Sequence, residues 1–493
     1  MSELTEQLGK FQVPDGAGIM DGGSPEMPSA EDFARPAVVA PGEPALLPLG
    51  IAYYAFWEDA ADGMARHARA QVRALAASGL PVRLQSTAPA GKYLLDDEVD
   101  QAVRDEVGYL RNVSFAETCL AIRQMVFNSA RSLDWSICPA GARLAGFEHV
   151  RRVYENTIVY TSWERSTVDR SMVDVLNRCA AVWVPCERNQ NVFSEAGVER
   201  VHCVPCPFDP GDAFRSARWR LGTEILRIQE QGEKVLRFDD PRVAELMAEA
   251  ARPLGFAAPR GPETVPDGRR FYAIGKWEPR KGYPDLIGAF LLAFTPQDRV
   301  SLFIKTSAWA RWEGYDTPDE SLARWSADER VSRTWTKEQI ARRVLIVSAK
   351  LPEGQLRDIH RQNNIYVSSS HGEAWDLPAF DAVAAGNALV HVGYGGSEDY
   401  APAGSVRVPW TLAPVHPGYG WEPDAQWAEY KLDDLVEALR LAEAPRRRVQ
   451  PPGLYGSYGM PAVGALMREH ILGQRGLLSE QVAARLAEAG GFG

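Results

Sequence analysis

Residues 368–386 read SSSHGEAWDLPAFDAVAAG and join a predicted buried strand to a predicted helix. The strand IYVSS ends near Ser369, and the helix begins near Pro378 because proline is favoured in a helix's first turn. Gly386 suits the left-handed residue that ends a helix. A buried strand followed by a loop and a helix is the repeating unit of a parallel α/β sheet.

Strands and helices alternate in the same way on both sides of this stretch. In the C-terminal half, the other predicted strands are RRFYAIGKW, SLFIKTS, RVLIVSA and ALVHVGY. In the N-terminal half they are LPLGIAYYAFW, PVRLQS, NTIVYTSW, AAVWVPC and ERVHCVPC. The two sets predict an α/β fold with two Rossmann-like domains, residues 46–212 and 269–450, whose parallel sheets face a cleft. Ligands of such sheets bind beyond the carboxyl ends of the strands.

Four further segments lie outside the two predicted sheets. Residues 1–45 form a tail, since the first 50 residues hold seven Gly and seven Pro. Residues 213–268 form a helical connection that ends in a Pro/Gly-rich stretch. An insertion at 309–335 carries four tryptophans, which need burial or a partner. Residues 451–493 are expected to pack back on the N-terminal domain.

The charge balance argues against two classes of partner. The chain has 54 basic and 65 acidic residues and a formal net charge of −11. General nucleic-acid binding and docking to anionic lipid both depend on basic surface, which this sequence lacks. No apolar run approaches the ~18 residues that span a bilayer, and the N-terminus has no signal pattern, so a cytoplasmic protein is expected.

The six cysteines do not predict a disulfide framework in a chain of 493 residues. Only Cys203 and Cys206, in HCVPCP, have the spacing of metal ligands. A metal site needs further ligands at similar spacing, and none is evident in the sequence. We therefore expect small apolar thiols along a strand, and no metal.

Two carboxylates flank the start of the helix that follows residue 376. Glu373 lies in the loop and Asp381 in the first part of the helix, so both can point at the cleft. The free N–H groups of the helix N-terminus can bind an anion such as a diphosphate, and the carboxylates can accept hydrogen bonds from sugar hydroxyls. Alternatively, Asp381 only favours the helix dipole and Glu373 is solvated. These residues alone leave both interpretations open.

Three cations follow another predicted strand, in IGKWEPRKG at residues 274–282. Lys276, Arg280 and a surface lysine, Lys281, suit a pyrophosphate at a strand end. The alternative is an ordinary basic loop with Glu278 as its local partner. Lys305 ends the next strand, and this further cation on the same edge favours an anion site.

The order of these motifs resembles that of a known enzyme family. IGKWEPRKGYPDLIGAF followed by HGEAWDLPAFDAVAAG is similar to the donor half of the retaining GT-B glycosyltransferases. That family includes glycogen synthases and phosphatidylinositol mannosyltransferases, and its signature is Glu, seven residues, Glu, with an upstream Arg/Lys pair. VYTSWERSTVDRSMVDVLNRCAAVWVPCERNQNVFSEAGVERVHCVPCPFDP resembles the end of the family's acceptor half.

The resemblance implies roles for the residues of these motifs. Lys276 and Lys281 hold the donor diphosphate, Glu373 contacts the donor sugar, and Asp381 binds the ribose hydroxyls. Lys276, Lys281 and Glu373 are thereby the implied catalytic residues. The other residues implied on the donor side are Lys305, His371, Trp375, Asp376, Gly395 and Gly396.

Three residues of the N-terminal half complete the implied site. Gly63, in the first loop, permits close approach to the donor phosphate. Trp163 and Glu164, at a strand end that faces the cleft, contact acceptor or donor sugar.

The sequence departs from the family pattern at three positions. Lys276 stands where Arg is usual, which keeps the charge but loses the planar two-pronged contact. Asp381 stands where Glu is usual and is shorter by one methylene. Asp376 stands where Gly is common, close to the donor sugar. We expect its carboxylate either to point away, paired with a cation, or to read a sugar hydroxyl or amine, and the outward position is favoured.

The resemblance implies a glycosyltransferase that moves a sugar from a nucleotide-diphosphate sugar to an acceptor hydroxyl with retention at the anomeric carbon. The donor is a co-substrate, and no cofactor is expected. Alternatives are a nucleotide-sugar epimerase, a glycogen-phosphorylase relative, or a degenerate glycosyltransferase that serves as a scaffold or sensor. The nucleotide, the sugar and the acceptor are not specified by the sequence.

Overall fold

The computed structural model describes residues 50–57, 62–87, 118–127, 129–138, 146–208, 268–306, 312–348, 351, 353–419, 421, 423–445, 451 and 453–472. Its two main sheets each contain six parallel strands, so the predicted α/β fold with two Rossmann-like domains, the GT-B arrangement, is confirmed. The predicted tail at 1–45, residues 213–267 of the predicted connection, Trp309 and the chain beyond 472 lie outside the described residues.

The N-terminal sheet has the strand order β2-β1-β3-β4-β5-β6. Its strands, in chain order, are Gly50–Ala55, Val82–Ser86, Thr118–Gln124, Thr157–Tyr160, Ala181–Val184 and Val201–Cys203. Helices α1 to α5 are Gly63–Ala77, Ala130–Ile137, Phe147–Glu155, Arg170–Leu176 and Glu187–Glu195. Separate apolar cores cover the two faces of the sheet, so its strands are buried on both sides, as expected of a parallel sheet.

The C-terminal sheet, which carries the predicted donor motifs, has the order β12-β11-β10-β7-β8-β9. Strands β7 to β12 are Arg269–Ile274, Val300–Thr306, Val344–Ser348, Ile365–Ser368, Ala388–His391 and Val406–Arg407. Helices α6 to α13 are Tyr283–Ala293, Pro318–Ala327, Glu329–Ser332, Lys337–Arg343, Glu353–Gln362, Leu377–Ala384, Ser397–Tyr400 and Leu432–Leu441. Short 3-10 turns occupy Pro279–Lys281 and Pro417–Tyr419.

An antiparallel hairpin links the two domains. Its strands, β13 and β14, are Thr411–Pro414 and Gln426–Glu429. The backbone N–H of Ser166, in the N-terminal domain, donates to the carbonyl of Gln426 at 3.0 Å. In return, the N–H of Gln426 donates to Ser166 Oγ at 3.0 Å. The hairpin therefore fastens the donor domain to the loop that follows β4.

The last described segment packs on the N-terminal domain. Helices α14 and α15 are Leu454–Tyr458 and Met460–Leu472. Arg468 donates to the carbonyl of Ser78 at 3.1 Å, at the end of α1. Three apolar side chains of α15 join the core that includes α1 and the N-terminal sheet: Val463, Met467 and Ile471.

The tryptophan-rich insertion is built into the C-terminal domain. Trp325 and Trp335 are buried, and their ring N–H groups donate to carbonyls of helix α6, at Pro284 and Leu291. The two donor–acceptor distances are 2.6 Å and 2.9 Å. Trp312 is half-buried. Burial thus accounts for two of the four tryptophans.

Gly288 packs directly against the Trp325 ring, so a larger residue at this position should destabilise the protein. A Cβ on Gly288 would lie 2.0 Å from the Trp325 ring, so Gly288→Ala forces the indole out of its site. We expect a loss of about 3 kcal/mol in the free energy of unfolding, measured by chemical denaturation. Gly456→Ala is the matched control, because a Cβ there meets no atom within 4 Å. Equal stability of the two variants would contradict the packing described.

Candidate active site

The loop between β10 and α11 lies at the carboxyl edge of the donor sheet and is held by close backbone contacts. Glu373 forms a bridge with Gly395, where φ is 133° and a Cβ would lie 1.7 Å from the Glu373 carbonyl oxygen. A Cβ on Gly396 would lie 2.6 Å from the Trp375 Cα. The two glycines predicted to line the donor site therefore bring the chain directly against the loop that carries Glu373.

Glu373 lies between two cations. Lys281 Nζ donates to Glu373 Oε1, and Arg280 Nη1 lies 3.0 Å from the same oxygen. Both cations belong to the 3-10 turn after β7, so the two predicted motifs meet at one carboxylate. The Lys281 side chain is only 11% exposed. The expectation of a surface lysine is therefore wrong, because Lys281 is buried against its partner.

Arg280 is the centre of a buried charge cluster. Besides Glu373, its guanidinium lies 2.7 Å from Glu278 and 3.1 Å from Glu164 of the N-terminal domain. It also donates to the carbonyl of Gly372 at 2.7 Å. Three carboxylates thus share one arginine, which the sequence indicated either as a cation of a pyrophosphate site or as part of a basic loop with Glu278 as its partner.

Glu373 and Glu164, on either side of the cleft, have pKa values that are shifted in opposite directions. Burial alone would raise the pKa of Glu373, but the charges of Arg280 and Lys281 outweigh it and lower the pKa to about 2. Burial raises the pKa of Glu164 to about 7, with Arg280 opposing the rise and Glu373 adding to it. Glu373 is therefore ionised at neutral pH, whereas Glu164 can gain or lose a proton there.

The N-terminus of α1 faces the donor domain. Asp62 caps this helix by accepting hydrogen bonds from the N–H groups of Met64 and Ala65, at 2.8 Å and 3.1 Å. The other carboxylate oxygen of Asp62 lies 3.6 Å from Lys276 Nζ. Gly63 begins the helix, and a Cβ there would be 3.7 Å from the side chain of Leu377, the first residue of α11. The first turns of two helices therefore meet across the cleft.

Asp381, the predicted ribose ligand, is paired with Arg66 of α1. Arg66 Nη2 donates to Asp381 Oδ1 at 2.9 Å, and Nη1 donates to Oδ2. The two side chains retain 27% and 19% exposure, so this ion pair between the domains is open to solvent at one side. Nothing in the local sequence around Arg66 or Asp381 indicated this contact.

Asp376 does not have the outward position, paired with a cation, that the sequence favours for it. It is buried, its φ is 62°, and its side chain caps α11 by accepting from the N–H of Ala379 at 3.4 Å. Its second oxygen accepts from Ser368 Oγ. Burial raises its pKa to about 6. The left-handed backbone is the physical reason that glycine suits this position, and Asp is among the residues that tolerate it.

The structure contradicts the expectation for Trp163. Its ring is buried and packs between Phe127 and Phe193, and its ring N–H donates to the carbonyl of Thr167 at 2.8 Å. The side chain lies within the N-terminal domain, whereas the next residue, Glu164, reaches the cleft. The aromatic residue at the strand end is thus part of the core.

His371 is buried and is held by the interdomain hairpin. Its ring stacks between Trp427 and Tyr430, with centroids 4.7 Å and 5.0 Å away. Its Nδ1 lies 2.7 Å from the carbonyl oxygen of Ala428. Burial lowers the pKa of His371 to about 4, so the ring is neutral at pH 7 and Nδ1 carries the donated proton. His371 therefore connects the loop between β10 and α11 to the hairpin.

Two other predicted donor residues are buried within the donor domain. Trp375 packs against Phe380 and Tyr400, with ring centroids 5.4 Å and 5.1 Å away, so its ring belongs to the core. Lys305 is buried near the end of β8, and its carbonyl accepts from the N–H of Gly275 at 3.1 Å.

The six cysteines carry no sign of a disulfide or of a metal site among the described residues. All six cysteines are free thiols, and burial raises the pKa of Cys203 to about 12. Within the described ranges, no group of three His, Cys, Asp or Glu side chains is arranged to hold a metal ion. In the same part of the chain, no helix combines the length and the apolar character needed to cross a membrane.

Several solved structures are similar to this chain. Trehalose 6-phosphate synthase from Burkholderia multivorans has a TM-score of 0.49 and 11% identity, with 90% of this chain and 100% of that chain covered. Anabaena HepE in complex with UDP-glucose has a TM-score of 0.46 and 11% identity, with 86% and 99% covered.

A third solved structure shares only part of its length with this chain. TarM of S. aureus has a TM-score of 0.36 and 12% identity, and the match covers 75% of this chain but 55% of that chain. No protein-family model matches the sequence, and no curated protein is detectably similar to it.

Proposed function

We propose that this chain is a glycosyltransferase that moves a sugar from a nucleotide-diphosphate sugar to an acceptor hydroxyl, with retention at the anomeric carbon. The observation that carries the proposal is the meeting of Lys281, Arg280 and Glu373 at the carboxyl edge of the donor sheet. Ligands of open parallel sheets bind at this edge. Lys276 and Asp381 lie along the same cleft, each beside the N-terminal domain.

The chemistry of the proposed reaction needs positive charge more than it needs an acid or a base. As the bond between sugar and phosphate breaks, negative charge gathers on the leaving diphosphate. Lys276 and Lys281 are the donors that would stabilise this charge where it develops. Glu373, ionised at neutral pH, would accept hydrogen bonds from hydroxyls of the donor sugar.

Turnover of a nucleotide-sugar panel tests the proposal. The full chain should release the nucleoside diphosphate from one member of a panel of UDP-, GDP-, ADP- and dTDP-sugars, and Glu373→Gln should release it at least 100-fold more slowly, about the effect of losing one preorganised polar contact. EDTA should leave the rate unchanged, because no metal is part of the proposal. Binding without turnover would favour a degenerate binding protein, and exchange of one sugar for its epimer would favour an epimerase.

Donor choice should not depend on Asp376. In Asp376→Gly the backbone keeps its left-handed φ without strain, and the loss of the cap costs a few tenths of a kcal/mol. Because both carboxylate oxygens are engaged by Ser368 and Ala379, we expect the ranking of the donor panel to be unchanged. A shift in that ranking of about 10-fold or more would show that Asp376 reads the donor instead.

A further inference from the structure

Arg66 binds the carboxylate of Asp381 in the way that a ligand with two adjacent donors would. Arg66 presents two parallel N–H groups, and each reaches a different oxygen of the one carboxylate. The 2′- and 3′-hydroxyls of a ribose also present two adjacent donors to a carboxylate. A guanidinium bound in this two-pronged way occupies the front of Asp381, which is where such a diol would bind.

Asp62, which caps α1, likewise occupies groups that a nucleotide could bind. Asp62 lies 3.6 Å from Lys276, a predicted ligand of the diphosphate. It also accepts hydrogen bonds from the N–H groups of Met64 and Ala65, which are the groups that a helix N-terminus offers to a phosphate. Side chains at the start of α1 thus engage a carboxylate, a lysine and two backbone N–H groups that a nucleotide diphosphate would need.

We propose that Arg66 competes with the donor ribose for Asp381 and so sets the affinity of the cleft for its nucleotide. This inference rests on the proposed function. In the ligand-free protein, Arg66 holds α1 against α11 through Asp381, and the donor displaces it. The pair keeps 27% and 19% side-chain exposure, so water can replace its bonds and the contact can open at modest cost.

The role of Arg66 differs from that of an ordinary donor ligand. A cation that binds the donor phosphate weakens nucleotide binding when it is removed. A cation that covers the ribose site strengthens binding when it is removed, because the cost of opening the pair disappears. The two roles therefore predict opposite signs for the same substitution.

Calorimetric titration of the full chain with UDP, GDP, ADP and dTDP measures whether removal of Arg66 strengthens or weakens nucleotide binding. We expect Arg66→Met to bind the preferred ribonucleoside diphosphate about fivefold more tightly than the parent. The gain should shrink for the 2′-deoxy analogue, which lacks one of the two hydroxyls. In an Asp381→Asn background, Arg66→Met should have no further effect. Arg170→Met, on an exposed part of α4, is the matched control.

Three results would overturn the proposal: unchanged affinity in Arg66→Met, weaker affinity, or an equal gain with the 2′-deoxy analogue. Failure of the proposed function has a different signature. If none of the four diphosphates binds the parent, Arg66→Met or the control, the cleft is not a nucleotide site, and the inference fails with it. Binding by the parent with no effect of Arg66 rejects the inference alone.

Discussion

Replacing Lys281 with alanine is expected to slow glycosyl transfer by about 10²–10³-fold. Lys281 is one of two cations at the Glu373 carboxylate, on the edge where the donor diphosphate is proposed to leave. Loss of this preorganised charge acts on the transition state more than on the bound donor. The nucleoside diphosphate released from the preferred nucleotide sugar, measured under saturating donor, gives the change in kcat.

The stability of this variant has to be measured beside its rate. Since Lys281 is buried against Glu373, its removal weakens a charge-assisted hydrogen bond, and we expect a loss of about 1.5–3 kcal/mol. The control is Lys337→Ala, an exposed residue at the start of α9, which should stay within about ±0.5 kcal/mol of the parent. A folded Lys281→Ala protein that turns over at the rate of the parent would show that the diphosphate lies elsewhere.

Arg280→Met is expected to have the largest effect on stability, a loss of about 3–5 kcal/mol. The substitution keeps the length of the side chain but leaves three carboxylates close together without their shared partner. Those carboxylates belong to Glu164, Glu278 and Glu373. The free energy of unfolding at pH 7, from denaturant titration, measures the loss, with Arg170→Met as the control.

The stability loss in Arg280→Met should depend on pH, in a direction that follows from the pKa of Glu373. In the parent, the pKa of Glu373 is lowered to about 2, so this group adds stability above its unfolded value of about 4.5 and loses it as pH falls towards 2. Without Arg280 much of that contribution is absent at every pH. The difference between parent and variant should therefore be greatest near neutral pH and should shrink as pH falls below about 4.5. A difference that grows on acidification would contradict the assigned ion pairs.

Local patterns in the sequence were sufficient to predict much of the donor domain. The predicted helix start near Pro378 differs by one residue from the observed start at Leu377, because proline in the first turn is a local signal. The predicted strand end near Ser369 likewise differs by one residue from Ser368. The left-handed φ of Asp376 is compatible with its residue type, since Asp tolerates this conformation, but the sequence does not indicate the hydrogen bonds that its carboxylate makes.

The residues that were missed depend on contacts between distant parts of the chain. The partners of Arg280 come from positions 164, 278 and 373, and only the second is near it in sequence. The pair between Arg66 and Asp381 joins two domains. Neither can be inferred from periodicity or from turn residues, because those signals report local structure alone.

The most direct test of the central claim, a nucleotide-diphosphate site between the two sheets, is a calorimetric titration of the full chain with matched nucleotides. For one of the four bases, we expect one molecule bound per chain, with the diphosphate at least tenfold tighter than the monophosphate, about the effect of one further charge-assisted contact. Lys281→Ala should remove that preference. Equal affinity for monophosphate and diphosphate, or no binding of any of the four, would contradict the account.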